Sequence, residues 1–519
     1  MLLDLAIART TGIPADWAGV VVATRDGFTV SGDRTAATEL FLYCGIGGAA
    51  VATRLDEMLD YLRFGRIETS LSPFGISALL HHGLVPVPHT EYRGVYSLAM
   101  GDTAEVVWAG SSSSVDLVFE YPWLAGKSRN DRQPSELTLL DLVTKATERA
   151  VAEAGNRGFL MLSSGKDSVA IALALAESGY NHIPCVTYSS GPDDLEAIVS
   201  AQLCKKLGLS HQIVARPTDK DEVVSTLTRF FEESTRPGTD LAQIPYVFAT
   251  SAAETDGGAV FDGGGSDSYM GYPVTGSWLS KMRFRLRGQP LIDFAQRRFD
   301  VDSPFNYLAR SRPEATLSGR TMRFHETRTF MRNAVDTREY WNRIAAETSH
   351  LDLLDLFGAV GERHAGPAAS AKKHTLAAEA IGHTASLPWC DHDLADYFFN
   401  LPEEYRYDRR SGVNKVLVRS MLARYLNYDA ATIGKHYFAF EGSRFVIENR
   451  DYIQSEIDSC ALWDSAGLGI VHSWLGKIDS RPLLYHSLLT LFMVSGWHNH
   501  SRFVDAAAST AVESAFVDG

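Results

Sequence analysis

Cysteine is scarce in this chain of 519 residues: there are five, at Cys44, Cys185, Cys204, Cys390 and Cys460, an odd number with no CxxC pair among them. That scatter fits neither a disulfide framework nor a zinc site. No apolar run approaches the roughly 20 residues a membrane helix requires. The opening Met1-Leu-Leu-Asp-Leu-Ala-Ile-Ala-Arg9 carries an early acid and no long apolar core, which is not the pattern of a signal peptide. A reducing, cytoplasmic setting is therefore expected. Positive charge is also short, with 49 Lys and Arg against 63 Asp and Glu, a net of −14. That balance argues against general binding to nucleic acid or to anionic membranes. Low-complexity tracts and internal repeats are lacking as well.

What is present is ordinary globular composition, 45% hydrophobic and 22% charged. The length suffices for about two to four domains, each with its own core. One stretch departs from the acidic balance: residues 281–343 hold fourteen Lys or Arg against seven Asp or Glu. It could steer an anionic substrate or an acidic carrier protein, or be a solvated helical face.

Residues 1–125 read as short strands and turns. Val20-Val-Val-Ala-Thr24, the turn Arg25-Asp26-Gly27 and Phe28-Thr-Val30 suggest one hairpin. Tyr96-Ser-Leu-Ala-Met100 and Ala104-Glu-Val-Val-Trp108 around Gly101-Asp102 suggest another. The broken, polar stretch 120–135, with Pro122, Gly126, Lys127, Asn130 and Pro134, predicts a boundary between domains 1–125 and 126–519. Beyond it strand and helix alternate. Leu137–Glu153 has helical spacing, Phe159-Leu-Met-Leu162 is a short apolar run, and Val169–Glu177 is a helix stopping at Ser178-Gly179. Pro184–Tyr188, His211–Val214 and Ala259–Asp262 read as further strands, with a helix over Leu195–Leu207. This predicts an α/β fold with a parallel sheet covered by helices, binding ligands at the carboxyl ends of its strands. Residues 278–519 read as mostly helical, without a strand series.

The sharpest local signal is Ser163-Ser164-Gly165-Lys166-Asp167-Ser168, between an apolar strand and a helix start. Small residues let backbone N–H groups converge on a phosphate, and the helix adds its positive end. Ser163, Ser164 and Ser168 offer hydroxyls and Lys166 a charge. Asp167 belongs beside phosphates if it holds Mg²⁺. The alternative is a serine-rich helix cap with an ordinary first-turn acid. The spacing is not that of a Walker loop. A second loop, Asp262-Gly263-Gly264-Gly265-Ser266-Asp267, follows the strand Ala259-Val-Phe261. Consecutive glycines there suggest close backbone approach to a ligand, and Asp267 supplies a second carboxylate for the same Mg²⁺.

The first loop resembles the Ser-Gly-Gly-x-Asp-Ser loop of the N-type ATP pyrophosphatases, with Ser164 in place of the first glycine. Gly263–Tyr272 resembles the Ser-Gly-Glu-Gly-Ser-Asp-Glu-x-x-Gly-Gly-Tyr motif of the asparagine synthetase superfamily, which includes β-lactam synthetases and lasso peptide cyclases. Further segments follow in that family's order: Thr187–Ala197 on the adenine side, Arg236-Pro237 with Asp240, Leu387-Pro-Trp-Cys-Asp391, Asn414-Lys-Val-Leu-Val-Arg419 and Gly434-Lys435-His-Tyr-Phe-Ala-Phe440. The matches run from about 155 to 445, and Leu79–Val95 resembles the end of the family's N-terminal domain.

The resemblance implies a C-terminal N-type ATP pyrophosphatase (adenine nucleotide alpha hydrolase-like) domain with a helical extension, behind an N-terminal Ntn-hydrolase-like (glutaminase-like) domain. It implies nucleotide contacts from Ser163, Ser164, Gly165, Lys166, Asp167, Ser168, Thr187, Tyr188, Gly263 and Gly264, with Mg²⁺ on Asp167 and Asp267. Lys435 would stabilise the adenylate and the tetrahedral intermediate, and Lys415 would hold departing pyrophosphate. A fixed cation at a developing oxyanion contributes on the order of several kcal/mol. Each lysine could instead be an ordinary surface residue.

Two departures matter. Glutamine-hydrolysing members expose an N-terminal cysteine, whereas Leu2 follows Met1 and the first thiol is Cys44. The N-terminal domain therefore reads as a degenerate scaffold, and glutaminase activity is not expected. Gly264 stands where asparagine synthetases have Glu and β-lactam synthetases Tyr. A glycine cannot deprotonate an amine, which leaves His436, Tyr437 or His374, or a nucleophile that enters neutral.

The expected activity is thus an ATP-dependent, AMP-forming carbon–nitrogen ligase of specialised metabolism, requiring ATP and Mg²⁺. It adenylates a carboxylate, releases pyrophosphate and passes the acyl group to an amine. Its partners would be a small-molecule or peptide carboxylate and an amine, with an acidic carrier protein and a homodimer left open. Three alternatives stand beside it: an intramolecular cyclase making a β-lactam or macrolactam, a sulfur-transfer or nucleobase-modifying ATP pyrophosphatase, and a non-catalytic scaffold.

Overall fold

The computed structural model describes residues 1–504 apart from 36, 110–111, 121–131, 256, 268–309, 318–321, 352, 366–371 and 434–439. Much of the 120–135 boundary stretch, residues 268–272 of the second loop, part of the basic segment 281–343, and Lys435, His436 and Tyr437 lie outside the described residues.

The N-terminal residues form two four-stranded antiparallel sheets. One has the order β1 (Leu2–Asp4), β5 (Gly48–Ala52), β4 (Leu40–Gly45), β6 (Val95–Leu98); the other has β2 (Val21–Ala23), β3 (Gly27–Ser31), β7 (Asp102–Ala109), β8 (Ser112–Phe119). Strand alternation explains how they stack. Leu40, Leu42 and Cys44 of β4 join Val30, Ala104 and Val106 in the core between the sheets. Phe41 and Tyr43 point the other way, into a core shared with Tyr246, Phe248 and Trp497 of the C-terminal part. The β2–β3 hairpin is as expected. The Gly101-Asp102 turn is not a hairpin: β6 pairs with β4 and β7 with β3, so this turn carries the chain from one sheet to the other. Asp102 is buried there, accepting from the Ala99 N–H at 2.8 Å and from Arg363.

The second sheet system is parallel, five strands in the order β11 (His211–Ala215), β10 (Cys185–Ser189), β9 (Gly158–Met161), β12 (Ala259–Phe261), β13 (Thr384–Ser386). Its three inner strands, β10, β9 and β12, are short and buried on both faces, hence their continuous apolar runs, whereas the edge strands β11 and β13 are largely exposed. Helices Lys166–Glu177 and Leu195–Leu207 connect β9 to β10 and β10 to β11, the latter ending on left-handed Gly208. From β9 the chain winds outward to β11, then returns to place β12 on β9's other side. The order therefore reverses between β9 and β12, and in such sheets a ligand crevice lies beyond the carboxyl ends of the strands at that reversal. Strand β13 was not expected from the sequence, and it extends the sheet with residues from the otherwise helical C-terminal region.

Candidate nucleotide and acyl-transfer site

The loops after β9 and β12 face one another across a cleft lined by Ser163, Gly165, Asp167, Ser168, Gly263, Gly264 and Asp267, with Glu196, Asp262, Lys373 and His374. Most of the residues marked in the sequence are thus brought together by the sheet reversal. Ser168 knits the first loop: its Oγ accepts from the Ser163 N–H at 3.1 Å and lies 2.9 Å from Ser163 Oγ and 3.0 Å from Ser163 O. The Gly165 N–H donates to Ser163 Oγ at 3.1 Å, and the Ser164 N–H to Glu196 Oε1 at 3.0 Å. Three loop amides expected to converge on phosphate are therefore spent inside the fold. Tyr428 donates its hydroxyl to Ser164 O, and Trp389 Nε1 donates to Asp167 O at 3.0 Å, holding the loop from behind. The helix Lys166–Glu177 that follows carries no side-chain cap. Its first turn is thus the part of the loop left to meet an anion.

Gly263 packs its backbone on that turn. A Cβ there would stand 2.6 Å from the Ser168 nitrogen, so only glycine permits this approach. Gly265, at φ +95°, leaves no room either, since its Cβ would meet Cys390 Sγ at 2.2 Å.

Asp167 and Asp267 converge on one cation, the amine of Lys415. Lys415 Nζ is 2.9 Å from Asp167 Oδ2, 2.8 Å from Asp267 Oδ1 and 2.6 Å from Ser266 Oγ. Burial alone would lower this amine, which is 1% exposed, but the two carboxylates outweigh it and hold it above the usual lysine range. Lys166 lies nearby, 3.8 Å from Asp167 Oδ2, and its burial brings the amine down to about 8 despite Asp167. The donor set suits Mg²⁺, because two carboxylates from different strand ends already share a cation at this point. The glycine cradle and uncapped helix turn likewise suit phosphate.

Thr187 and Tyr188 lie one strand away, in β10, and do not line the cleft. The Thr187 hydroxyl donates to Leu162 O at 2.8 Å and meets His211 Nε2 at 2.9 Å, which commits it to the interior of the sheet. Ser164 is buried behind the loop. Lys435 lies outside the described residues.

Glu196 and Lys373 line the cleft without having been singled out from the sequence. Glu196 fell inside the quoted segment 187–197, yet an acid at a helix start is read first as a dipole partner. Asp262 accepts from the Gly264 N–H at 2.7 Å and the Tyr246 hydroxyl at 3.0 Å, with His374 Nε2 3.1 Å from its Oδ1. In the N-terminal part, burial pushes the Cys44 thiol up to about 12. No helix among the described residues is long and apolar enough to cross a membrane.

Comparison with known proteins gives the family of the chain. The family described as asparagine synthase matches residues 138–466, a span containing the motifs noted between 155 and 445. Curated proteins provisionally named asparagine synthetase [glutamine-hydrolyzing], from Mycobacterium bovis and two strains of Mycobacterium tuberculosis, are each 28% identical over 263 residues. The similarity covers 49% of this chain and 38% of each relative, so the chain spans well under half the length of the relatives it matches.

Proposed function

Because the chain belongs to the asparagine synthase family, we propose that it is an ATP-dependent, AMP-forming ligase that joins a carboxylate to an amine without hydrolysing glutamine. The observation that carries this reading is the convergence of Asp167, Asp267 and Lys415 beside an uncapped helix turn at the sheet reversal. Asp167 and Asp267 would hold Mg²⁺, which when bound supplies charge neutralisation for the phosphates. Gly263, Gly264 and the first turn from Lys166 would seat the phosphate chain, with Lys166 as a neighbouring charge. Lys415 would release its carboxylates to the metal and pair with departing pyrophosphate. Lys435 would face the oxygen that gains charge at the acyl carbon. Holding both reactants in one cleft removes much of the entropic barrier to the two transfers.

The architecture we assign to this activity is an N-type ATP pyrophosphatase domain behind a degenerate Ntn-hydrolase-like scaffold. The glutamine-independent part rests on Cys44, whose buried thiol is far from forming a thiolate. Specialised metabolism is proposed as the setting because Gly264 separates the loop from that of asparagine synthetases.

The test is pyrophosphate and AMP release from ATP and Mg²⁺ with the twenty proteinogenic amino acids and a set of aliphatic acids as carboxylates. Ammonia, hydroxylamine and simple amines serve as acceptors. Wild type should release both products with at least one pair, and Asp167→Ala and Lys435→Ala should lose that release. No release with any pair, together with no binding of a labelled ATP analogue, would overturn the reading.

A further inference from the structure

We propose that Glu91, in the N-terminal part, is a positioning residue for the cleft: acting through Lys372, it sets the wall that carries Lys373 and His374. The inference rests on the ligase reading above. The helix Lys372–Glu379 is poorly made to hold its own start. It opens with two lysines, whereas a helix N-terminus favours negative charge. Its first residue is also driven into the protein, for Lys372 is 2% exposed. A buried ammonium is tolerable beside an anion that is itself fixed. Glu91 is that anion, 1% exposed, with Oε1 3.2 Å from Lys372 Nζ. Burial lowers the Lys372 amine, and Glu91 opposes the shift.

Glu91 is anchored from its own side. Its carbonyl accepts from the Ser72 N–H at 2.8 Å, and the neighbouring Thr90 hydroxyl donates to Val95 O at 2.7 Å. The helix Pro73–His82 presses on this segment through Gly75, where a Cβ would stand 2.5 Å from Thr90 O. A second grip lies alongside. Arg236 donates to both oxygens of Glu39 at 2.9 and 2.8 Å, and the Tyr92 hydroxyl donates to Thr235 O at 2.6 Å. That loop leads to Ala242, which lines the cleft, and to Gln243, whose Nε2 donates to Lys373 O at 3.3 Å. Two stretches of the cleft wall are thus bonded to each other, and each is tied to the N-terminal part by a buried ion pair.

From Lys372 the chain enters the cleft at once. Lys373 and His374 line it, with the Lys373 amine 5.8 Å from the centre of the Tyr246 ring. A Cβ at Gly264 would come 3.1 Å from His374 Nε2, while one at Gly263 would meet the Ser168 nitrogen. The glycine loop therefore touches the phosphate turn with one residue and this wall with the next. The two have separate supports. Tyr428 and Trp389, which hold the phosphate turn, come from the C-terminal part, whereas Glu91 and Glu39 come from the N-terminal part. Loosening the wall should therefore disturb the acyl substrate and spare the nucleotide. This gives the N-terminal sheets a task in the reaction apart from any chemistry of their own.

The experiment compares wild type, Glu91→Gln and the double variant Glu91→Gln, Lys372→Met in the full chain, using the best carboxylate from the release panel. Glu91→Gln should raise the KM for that carboxylate about tenfold or more, with the Kd of a labelled ATP analogue changed by no more than about twofold. The double variant strands no buried charge, so it should fold as wild type does and still show the raised KM. An unchanged KM with kcat falling alongside the folded fraction, or nucleotide affinity lost in equal measure, would overturn the proposal. So would full recovery of KM in the double variant, which would mean that Glu91 serves only to neutralise Lys372. Hydrogen exchange tests the contact without any substrate. Amides of residues 372–379 should exchange about tenfold faster in Glu91→Gln, and those of 166–177 at the wild-type rate. Unchanged exchange over 372–379, or faster exchange over both helices, sinks the idea. Absence of pyrophosphate release in wild type would instead count against the ligase reading, leaving the exchange result to decide whether Glu91 holds the wall.

Discussion

Lys415 reaches Asp167 Oδ2 at 2.9 Å from a backbone held in the left-handed region, φ 56° and ψ 43°. That conformation costs a non-glycine residue roughly 1–2 kcal/mol, so the ion cluster must over-determine it. Replacing the lysine leaves two carboxylates facing one another without their shared cation. Lys415→Met should lose about 3 kcal/mol of stability, since removing one partner of a buried pair costs far more than the pair contributes. Millimolar Mg²⁺ should then raise the melting temperature of the variant more than that of wild type. Thermal scans with and without Mg²⁺ check this, and a variant indifferent to the metal would count against Asp167 and Asp267 as its ligands.

Gly263 and Gly469 form a contrasting pair. Gly263→Ala drives a Cβ to 2.6 Å from the Ser168 nitrogen and 2.9 Å from the Asp167 carbonyl carbon, both backbone atoms that cannot swing away. The helix start must shift, and affinity for an ATP analogue should fall about tenfold or more, in line with the roughly 1–3 kcal/mol of overpacking. Gly469 lies inside the helix Ser465–Leu475 with nothing within 4 Å of its would-be Cβ. Gly469→Ala should leave analogue binding unchanged and add about 0.5–1 kcal/mol to stability. Calorimetric titration and urea unfolding of both variants separate the two effects.

Arg363 links the two halves of the molecule by pairing with Asp102 while its guanidinium lies 3.7 Å above the Phe119 ring. Both members of the pair are nearly dry, 9% and 3% exposed. Arg363→Met should cost about 3–5 kcal/mol because it strands a buried carboxylate. The double variant Arg363→Met, Asp102→Asn should recover most of that loss. A double-mutant cycle by urea unfolding gives the coupling, and simple additivity of the single losses would show that the pair carries no such penalty.

Legibility from sequence was uneven, for reasons the structure makes plain. Strands β9 to β12 and their helices stood out because short apolar runs are punctuated by Gly179, Gly208 and the glycines at 263–265. Strand β13 had no such mark. It is three small or polar residues, Thr384-Ala-Ser386, made into a strand by parallel pairing with β12 more than 120 positions earlier. At Gly101-Asp102 the turn chemistry was read correctly, with Gly101 at φ 81°, but not its partners. Asp102 is anchored by a residue 261 positions away, and no local pattern carries that information. In the cleft, residue types identified Asp167, Asp267 and Lys415, yet their meeting at one ammonium is a tertiary fact. Glu196 and the Asp262–His374 contact were hidden for the same reason, since each looks locally like a helix-start or loop residue.

Glu379 supplies a pH-dependent prediction away from the cleft. Burial raises its carboxyl from the model-peptide value of 4.5 to about 7, against the opposing pull of Arg54, whose Nη2 is 4.0 Å away. A carboxyl raised in the folded state favours its protonated form there, so its contribution to stability is full below pH 4.5 and is lost as pH rises through 7. Ionising it in the fold at pH 8 then costs on the order of 3 kcal/mol relative to the unfolded chain. Glu379→Gln keeps the shape and removes the titration. It should be more stable than wild type at pH 8 by up to about that amount, with the advantage shrinking toward zero near pH 4.5. Urea unfolding of both proteins at half-unit steps between pH 4.5 and 8 measures the difference. A gap independent of pH would mean that Glu379 is not the titrating group, and a gap that widens toward acid would reverse the sign argued here.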